Sequence, residues 1–222
     1  MPTEIESEVT EFRDWVFRYR PANISPRHLV IMLHGWTGDE NSMWLFTRNI
    51  PERTAILAPR APFIAPEGGY SWRGITCGTW GYPTAEDLQP SAEALLGFVD
   101  DWSRSVNLDF HQFELVGFSQ GTMLSYLITI LHTERVRSLT ALSGFIPGGA
   151  EALFTPHQLD GKQVFVAHGR QDDMVAVKQA RASVKLLENS GAQVTYCESD
   201  GGHKVSKECM GGMETFFMNQ FN

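Results

Sequence analysis

Apolar residues fall along the chain in two kinds of run. Short β-rich runs occupy His28–Leu33, Thr54–Ala58, Phe113–Gly117, Ser138–Ser143, Gln163–His168 and Gln193–Glu198. Between them lie longer stretches with apolar residues at helical spacing: Ala85–Ser105, Thr122–His132, Ala176–Ser190 and Lys207–Gln220. In the first of these, Leu88, Leu95, Phe98, Val99 and Trp102 fall mostly on one face. Thr84, with Asp87 three residues on, is a plausible cap for its start, and Pro90 must then lie in the first turns. Largely continuous apolar strands alternating with helices predict an α/β fold: a mostly parallel sheet covered on both faces. At the start of the chain, Phe12, Trp15, Phe17 and Tyr19 interleave with charges. That pattern suits an antiparallel edge or hairpin strand with one wet face. Two stretches have no period, Ala58–Thr84 and Gly144–Gln163; loops of that length are usually functional or mobile.

Composition narrows the class. The 222 residues, 42% hydrophobic and 20% charged, are expected to form one domain spanning 1–222. A net charge of −8 repels phosphate backbones, which argues against a nucleic-acid partner. The first residues carry acids where an export signal needs bases, and no apolar run approaches the length of a membrane span. Cys77, Cys197 and Cys209 are odd in number and unpatterned in spacing. They read as free thiols of a cytoplasmic protein, not as a disulfide frame or a zinc site.

The chemistry gathers around Gly117-Phe118-Ser119-Gln120-Gly121. A Gly-x-Ser-x-Gly match carries little by itself. Here a strand candidate runs directly into it and a helix candidate directly out, as a serine held on a tight strand-to-helix turn requires. A serine hydroxyl needs a base, and the base needs an acid to orient it. Asp172 follows the β-run Gln163–His168, and His203 follows the run ending at Glu198. In a parallel sheet all three emerge at the C-terminal edge of the strands. Asp173 is the direct rival of Asp172, and spacing favours Asp172. His34 and His168 each follow a β-run and precede glycine; both read as structural histidines bonded to loop backbone. His28, His111, His132 and His157 have no partner pattern and read as surface residues.

Taken together, the stretches Leu33–Glu40 (LHGWTGDE), Leu57–Pro62 (LAPRAP), Gly117–Gly121, Leu142–Pro147 (LSGFIP), His168–Val175 (HGRQDDMV) and Gly201–His203 resemble the phospholipase/carboxylesterase family of small α/β-hydrolases, which includes acyl-protein thioesterase-like serine esterases. The resemblance implies an α/β-hydrolase fold without a large cap domain. It implies Ser119 as nucleophile, Asp172 as acid and His203 as base, with the amides of Trp36 and Gln120 as oxyanion hole. No metal or organic cofactor is implied, and homodimers are common among relatives. Gln120 is expected to matter through its N–H alone, so Gln120→Ala should be far milder than Ser119→Ala. Acyl-protein thioesterases usually carry Trp-Phe-Asp in the loop 58–84, where this chain reads GGYSWRGITCGTW, and this favours a small-ester carboxylesterase. The elbow is usually followed by a second glycine, where this chain has Thr122.

Large apolar residues in the irregular stretches are candidates for an acyl pocket. They are Phe63, Ile64, Tyr70, Trp72 and Trp80 of the first stretch, with Phe145, Ile146, Met174 and Val175 nearer the acid. The alternative, that they cover the edge of the sheet or simply pack, stays open. The expected activity is serine carboxylesterase action on small to medium acyl esters. Its rivals are an acyl-protein thioesterase or lysophospholipase on the same scaffold, or a non-catalytic binding protein with the same fold.

Overall fold

The antiparallel edge or hairpin strand expected at the start of the chain is a hairpin of two short strands. Strands β1 (Glu8–Phe12) and β2 (Trp15–Arg20) pair antiparallel, with Arg13 at the turn in a positive-φ conformation. The computed structural model describes residues 6–24, 26–48, 50–74 and 83–221. The hairpin's apolar side folds onto the first long helix: Trp15 stacks on Phe98 at 4.7 Å, and Tyr19 meets Trp102 edge-on at 4.9 Å.

The remaining elements follow the apolar runs closely. Strands β3 (Leu29–Leu33), β4 (Ala55–Pro59), β5 (Phe63–Ile64) and β6 (Tyr70–Ser71) precede helix α1 (Ala85–Ser105). Then come β7 (Phe113–Phe118), α2 (Gln120–Leu131), β8 (Val136–Leu142), β9 (Gln163–Gly169), α3 (Val177–Asn189), β10 (Gln193–Ser199) and α4 (Lys207–Gln220). Eight strands form one sheet in the order β1-β2-β4-β3-β7-β8-β9-β10. Both pairings of β2 are antiparallel, and within this sheet the pairings β4-β3-β7-β8-β9-β10 are all parallel; β5 and β6 form a separate antiparallel pair.

Continuous apolar strands make sense in this sheet because each buries both faces. In β3, Leu29, Ile31 and Leu33 join a core shared with α1, α2 and α3, while Val30 and Met32 join a second core beneath α4. Helix α2 is buried almost all round, so its apolar character shows no clean stripe.

The cysteine reading does not hold for two of the three residues. Cys197 of β10 and Cys209 of α4 form a disulfide, their Cα atoms 5.6 Å apart. The pairing is made by packing α4 against the end of β10, a tertiary fact that cysteine spacing does not carry. Cys77 lies outside the described residues. His28 is also not a simple surface residue: it is half-buried, with Nδ1 2.6 Å from the buried Glu114 carboxylate. No helix among the described residues is long and apolar enough to cross a membrane.

Helix α1 starts as its sequence requires. The Thr84 N–H donates to Asp87 at 2.8 Å, and the Asp87 N–H donates to the Thr84 hydroxyl at 3.2 Å. Arg73 reaches the same carboxylate at 3.2 Å and ties the preceding loop to the helix. Thr84→Ala should therefore cost about 1 kcal/mol in urea unfolding, the usual loss for a capping side chain.

Candidate active site

Ser119 is the single residue between β7 and α2, at φ 53° and ψ −115°. An L-residue avoids this conformation, which costs on the order of 1–3 kcal/mol. The turn is tight because its glycines touch other backbone. A Cβ on Gly121 would stand 2.0 Å from the Leu33 carbonyl oxygen, and one on Gly117 would stand 2.5 Å from the Gly121 oxygen. The Ser119 N–H donates to Leu142 O at 2.8 Å, and its carbonyl accepts from Met123 at 3.2 Å.

Parallel neighbours bring the other two residues to the same edge. Asp172 lies just beyond β9 and is buried; His203 lies beyond β10 and is half-buried. Asp172 Oδ1 accepts from the N–H groups of Met174 (3.0 Å) and Val175 (2.8 Å), and its Oδ2 faces His203 Nδ1 at 2.8 Å. A carboxylate only accepts, so Nδ1 carries the proton and Nε2 is left to accept from the Ser119 hydroxyl, 2.9 Å away. Asp173 is exposed and takes no part in this chain. His168 donates from Nε2 to Val175 O at 2.8 Å, the structural role expected of it.

The amides expected to face an oxyanion sit at two strand ends. Gln120 opens α2, so its N–H belongs to the set that a helix leaves without an intrahelical acceptor. Trp36 lies in the turn after β3, closed by Gly38 N–H to Gly35 O at 3.0 Å. That turn is strapped to β6, with Thr37 N–H donating to Tyr70 O and Tyr70 N–H donating to Gly38 O. Among the described residues, no group of three or more His, Cys, Asp or Glu is placed to hold a metal ion.

A cavity of about 480 Å³ opens beside this edge, walled by Trp36, Met43, Phe46, Phe118, Val205 and Met210, with Lys204 also on its wall. Phe118 links it to His203, the two rings 5.2 Å apart.

Comparison with known proteins places the chain in a family. The family model described as Phospholipase/Carboxylesterase matches residues 21–220. The chain belongs to the phospholipase/carboxylesterase family. It is thereby an ester hydrolase of the carboxylesterase and acyl-protein thioesterase type. It is similar to "Acyl-protein thioesterase 1" of Kluyveromyces lactis, with 28% identity over 73% of this chain and 77% of the relative. In fold it resembles a carboxylesterase of Bacillus cereus (TM-score 0.79, 18% identity, 91% and 93% of the two chains). It equally resembles a carboxylesterase of Mesorhizobium loti (TM-score 0.79, 20% identity, 96% and 98%).

Two side chains of this family member do work that its sequence did not announce. Thr122, in place of the second glycine, sets its hydroxyl 2.7 Å from Gly117 O and 2.8 Å from Leu142 O, and accepts from the Leu142 N–H at 3.0 Å. It bolts the elbow to β8. Gln120 was expected to act through its N–H alone, yet its side chain is buried. Its Oε1 accepts from Trp72 N–H at 2.9 Å, and its Nε2 donates to Ser71 at 3.1 Å. Trp72 in turn donates its indole N–H to His34 O at 2.8 Å.

These bonds explain where the expected pocket residues lie. Trp72 is fully buried and works as a strut, and Tyr70 braces the Trp36 turn while Arg60 stacks on its ring at 4.7 Å. Phe145, Ile146 and Val175 are buried in the core. Phe63, Ile64 and Met174 are exposed. None of these walls the cavity described above, whereas Trp36 does. Trp80 lies outside the described residues.

Replacing Gln120 by Ala should cost about 1–3 kcal/mol in urea unfolding, because it leaves the buried Trp72 N–H without its acceptor. A second expectation concerns pH. Burial pushes His34 below the ordinary histidine value, against the opposing pull of the Gly35 carbonyl 2.7 Å from Nδ1. Its Nε2 must stay bare to accept from Ala61 N–H at 3.0 Å. The unfolded chain takes up this proton near pH 6.5, about where free histidine titrates, and the folded chain resists. Stability should therefore be lost as pH falls below about 6.5. Urea midpoints at about pH 7.5 and 5.5 would show it, and the acid loss should shrink in His34→Gln.

Proposed function

We propose that residues 1–222 form a single domain acting as a serine carboxylesterase on small to medium acyl esters, through Ser119, Asp172 and His203 and an acyl-enzyme intermediate. The observation that carries this reading is the unbroken hydrogen-bond chain from Asp172 to His203 (2.8 Å) to Ser119 (2.9 Å). His203 Nε2 takes the hydroxyl proton as Ser119 attacks the ester carbonyl. The amides of Trp36 and Gln120 hold the oxyanion; one such donor is worth roughly 2.7–4 kcal/mol in known cases. His203 then protonates the leaving alcohol, and water repeats the cycle on the acyl-enzyme. Asp172 keeps the proton on Nδ1 and stabilises the imidazolium. No metal or organic cofactor enters these steps.

The cavity of about 480 Å³ is assigned here to the acyl chain, being largely apolar and within the range of small-ligand sites. The name of the Kluyveromyces lactis relative supports a second reading, a thioester substrate. A homodimer belongs to the same proposal and is read by light scattering. The cytoplasmic location expected from free thiols loses that ground, because Cys197 and Cys209 are bonded and disulfides persist in oxidising compartments; recovery of the native protein in an exported fraction would exclude it.

Hydrolysis of p-nitrophenyl esters from acetate to decanoate, with an acyl thioester in parallel, tests the activity. Ser119→Ala should lose essentially all turnover, on the order of 10⁴-fold or more. If wild type exceeds Ser119→Ala on no substrate, a non-catalytic binding protein becomes the better reading. Met210→Trp, which fills the cavity, should lower kcat/KM for decanoate on the order of ten-fold more than for acetate. An unchanged ratio would remove the acyl chain from this cavity.

A further inference from the structure

We propose that the Cys197–Cys209 disulfide is a positioning clamp for His203, and that turnover depends on its being closed. The inference rests on the reading of His203 as the base. His203 sits in the connection 200–206 between β10 and α4, and the two cysteines stand at its two feet. Cys197 is two residues from the end of β10, and Cys209 is the third residue of α4. The bond therefore closes a ring around the histidine.

Apart from the bonds of His203 to Asp172 and Ser119, its ring contact with Phe118 and the packing of Val205 against the second core, the connection is held lightly. It contains the adjacent glycines Gly201 and Gly202, one internal bond from Lys204 N–H to Gly202 O (2.8 Å), and a bond from Gln171 N–H to Gly201 O (2.9 Å). Its first foot is also secured by the β9–β10 ladder and by Arg170, which bonds Glu198 at 2.9 Å and Asp200 at 2.8 Å. Its second foot differs. Helix α4 is anchored in the core mainly by its later residues, Met213, Phe216 and Phe217. The first turn has the Ser206 cap, which accepts from Cys209 N–H at 3.1 Å, and the disulfide from the buried Cys209. Opening the bond frees the first turn of α4 and the connection to shift together. A shift of about 1 Å at a catalytic group is enough to cost on the order of 100-fold in rate.

A dithiol opens the clamp with balanced electrons. One thiolate attacks a cysteine sulfur and the S–S bond breaks. The second thiol of the reductant then displaces the mixed disulfide. Cys197 and Cys209 are left as thiols, and the reductant becomes a cyclic disulfide.

The test uses the full chain with Cys77→Ala, so that thiol titration reports the pair alone. Oxidised and dithiothreitol-reduced samples are compared for p-nitrophenyl ester hydrolysis and for hydrogen exchange. On reduction, kcat should fall on the order of ten-fold. KM should change by less than about two-fold, and oxidised glutathione should restore the rate. Amides of 200–206 should exchange faster while those of 113–131 stay protected. Cys197→Ala/Cys209→Ala should match the reduced enzyme and ignore the reductant; if it fails to fold, reduction of the folded protein decides alone. A lower Tm with unchanged kcat would make the bond a mere staple and overturn the clamp. Should the oxidised protein not exceed Ser119→Ala, the esterase reading fails separately. Unchanged exchange at 200–206 on reduction would then overturn the clamp on its own.

Discussion

Ser119 stands in a backbone conformation that its own chemistry disfavours, and the neighbouring structure has to hold it there. The holding is done by backbone contact. Gly117 and Gly121 let α2 close against the end of β3, so near that any side chain on Gly121 would meet the Leu33 carbonyl. Hydrogen bonds from Ser119 N–H and Thr122 to Leu142 O fasten the same turn to β8. The serine is thus fixed by the strands on both sides of β7. The same closeness puts the turn after β3, with Trp36, next to the start of α2.

Around that point the site is built in layers. The short β5–β6 hairpin straps the Trp36 turn through Tyr70, and the Gln120 side chain ties the following residues, Ser71 and Trp72, back to the elbow. His34 sits beneath, neutral because it is buried, accepting from Ala61 N–H. On the other side, β9 and β10 run in parallel register to Gly169 and Ser199 and deliver Asp172 and His203 together. Asp172 accepts from two backbone N–H groups and from His203, which leaves it little freedom to turn. Each group that the chemistry would use is thereby oriented by a partner that does not itself react.

Much of this was legible in the chain. The long helices and parallel strands announce themselves because their apolar patterns are set by burial on one face or on both. Ser119, Asp172 and His203 could be placed on one edge because parallel strands end on one side. What stayed hidden depends on tertiary packing. The strands β5 and β6 are two residues each, too short to show a period. Trp72 looks the same in sequence whether it lines a pocket or braces a loop. The buried amide of Gln120 and the hydroxyl of Thr122 find partners 48 and 20 residues away. Cys197 and Cys209 meet only once α4 docks beneath β10. Spacing alone reads such a pair as unconnected thiols.

In the proposed mechanism Ser119 is acylated with His203 as its base. Acid quenching during turnover of a p-nitrophenyl ester, followed by intact mass and peptide mapping, puts this to the test. One acyl group is expected on the peptide carrying Ser119, and none on the same peptide from His203→Ala quenched at the same time. An acyl group on any other residue during productive turnover, or turnover by His203→Ala at the wild-type rate, would contradict it.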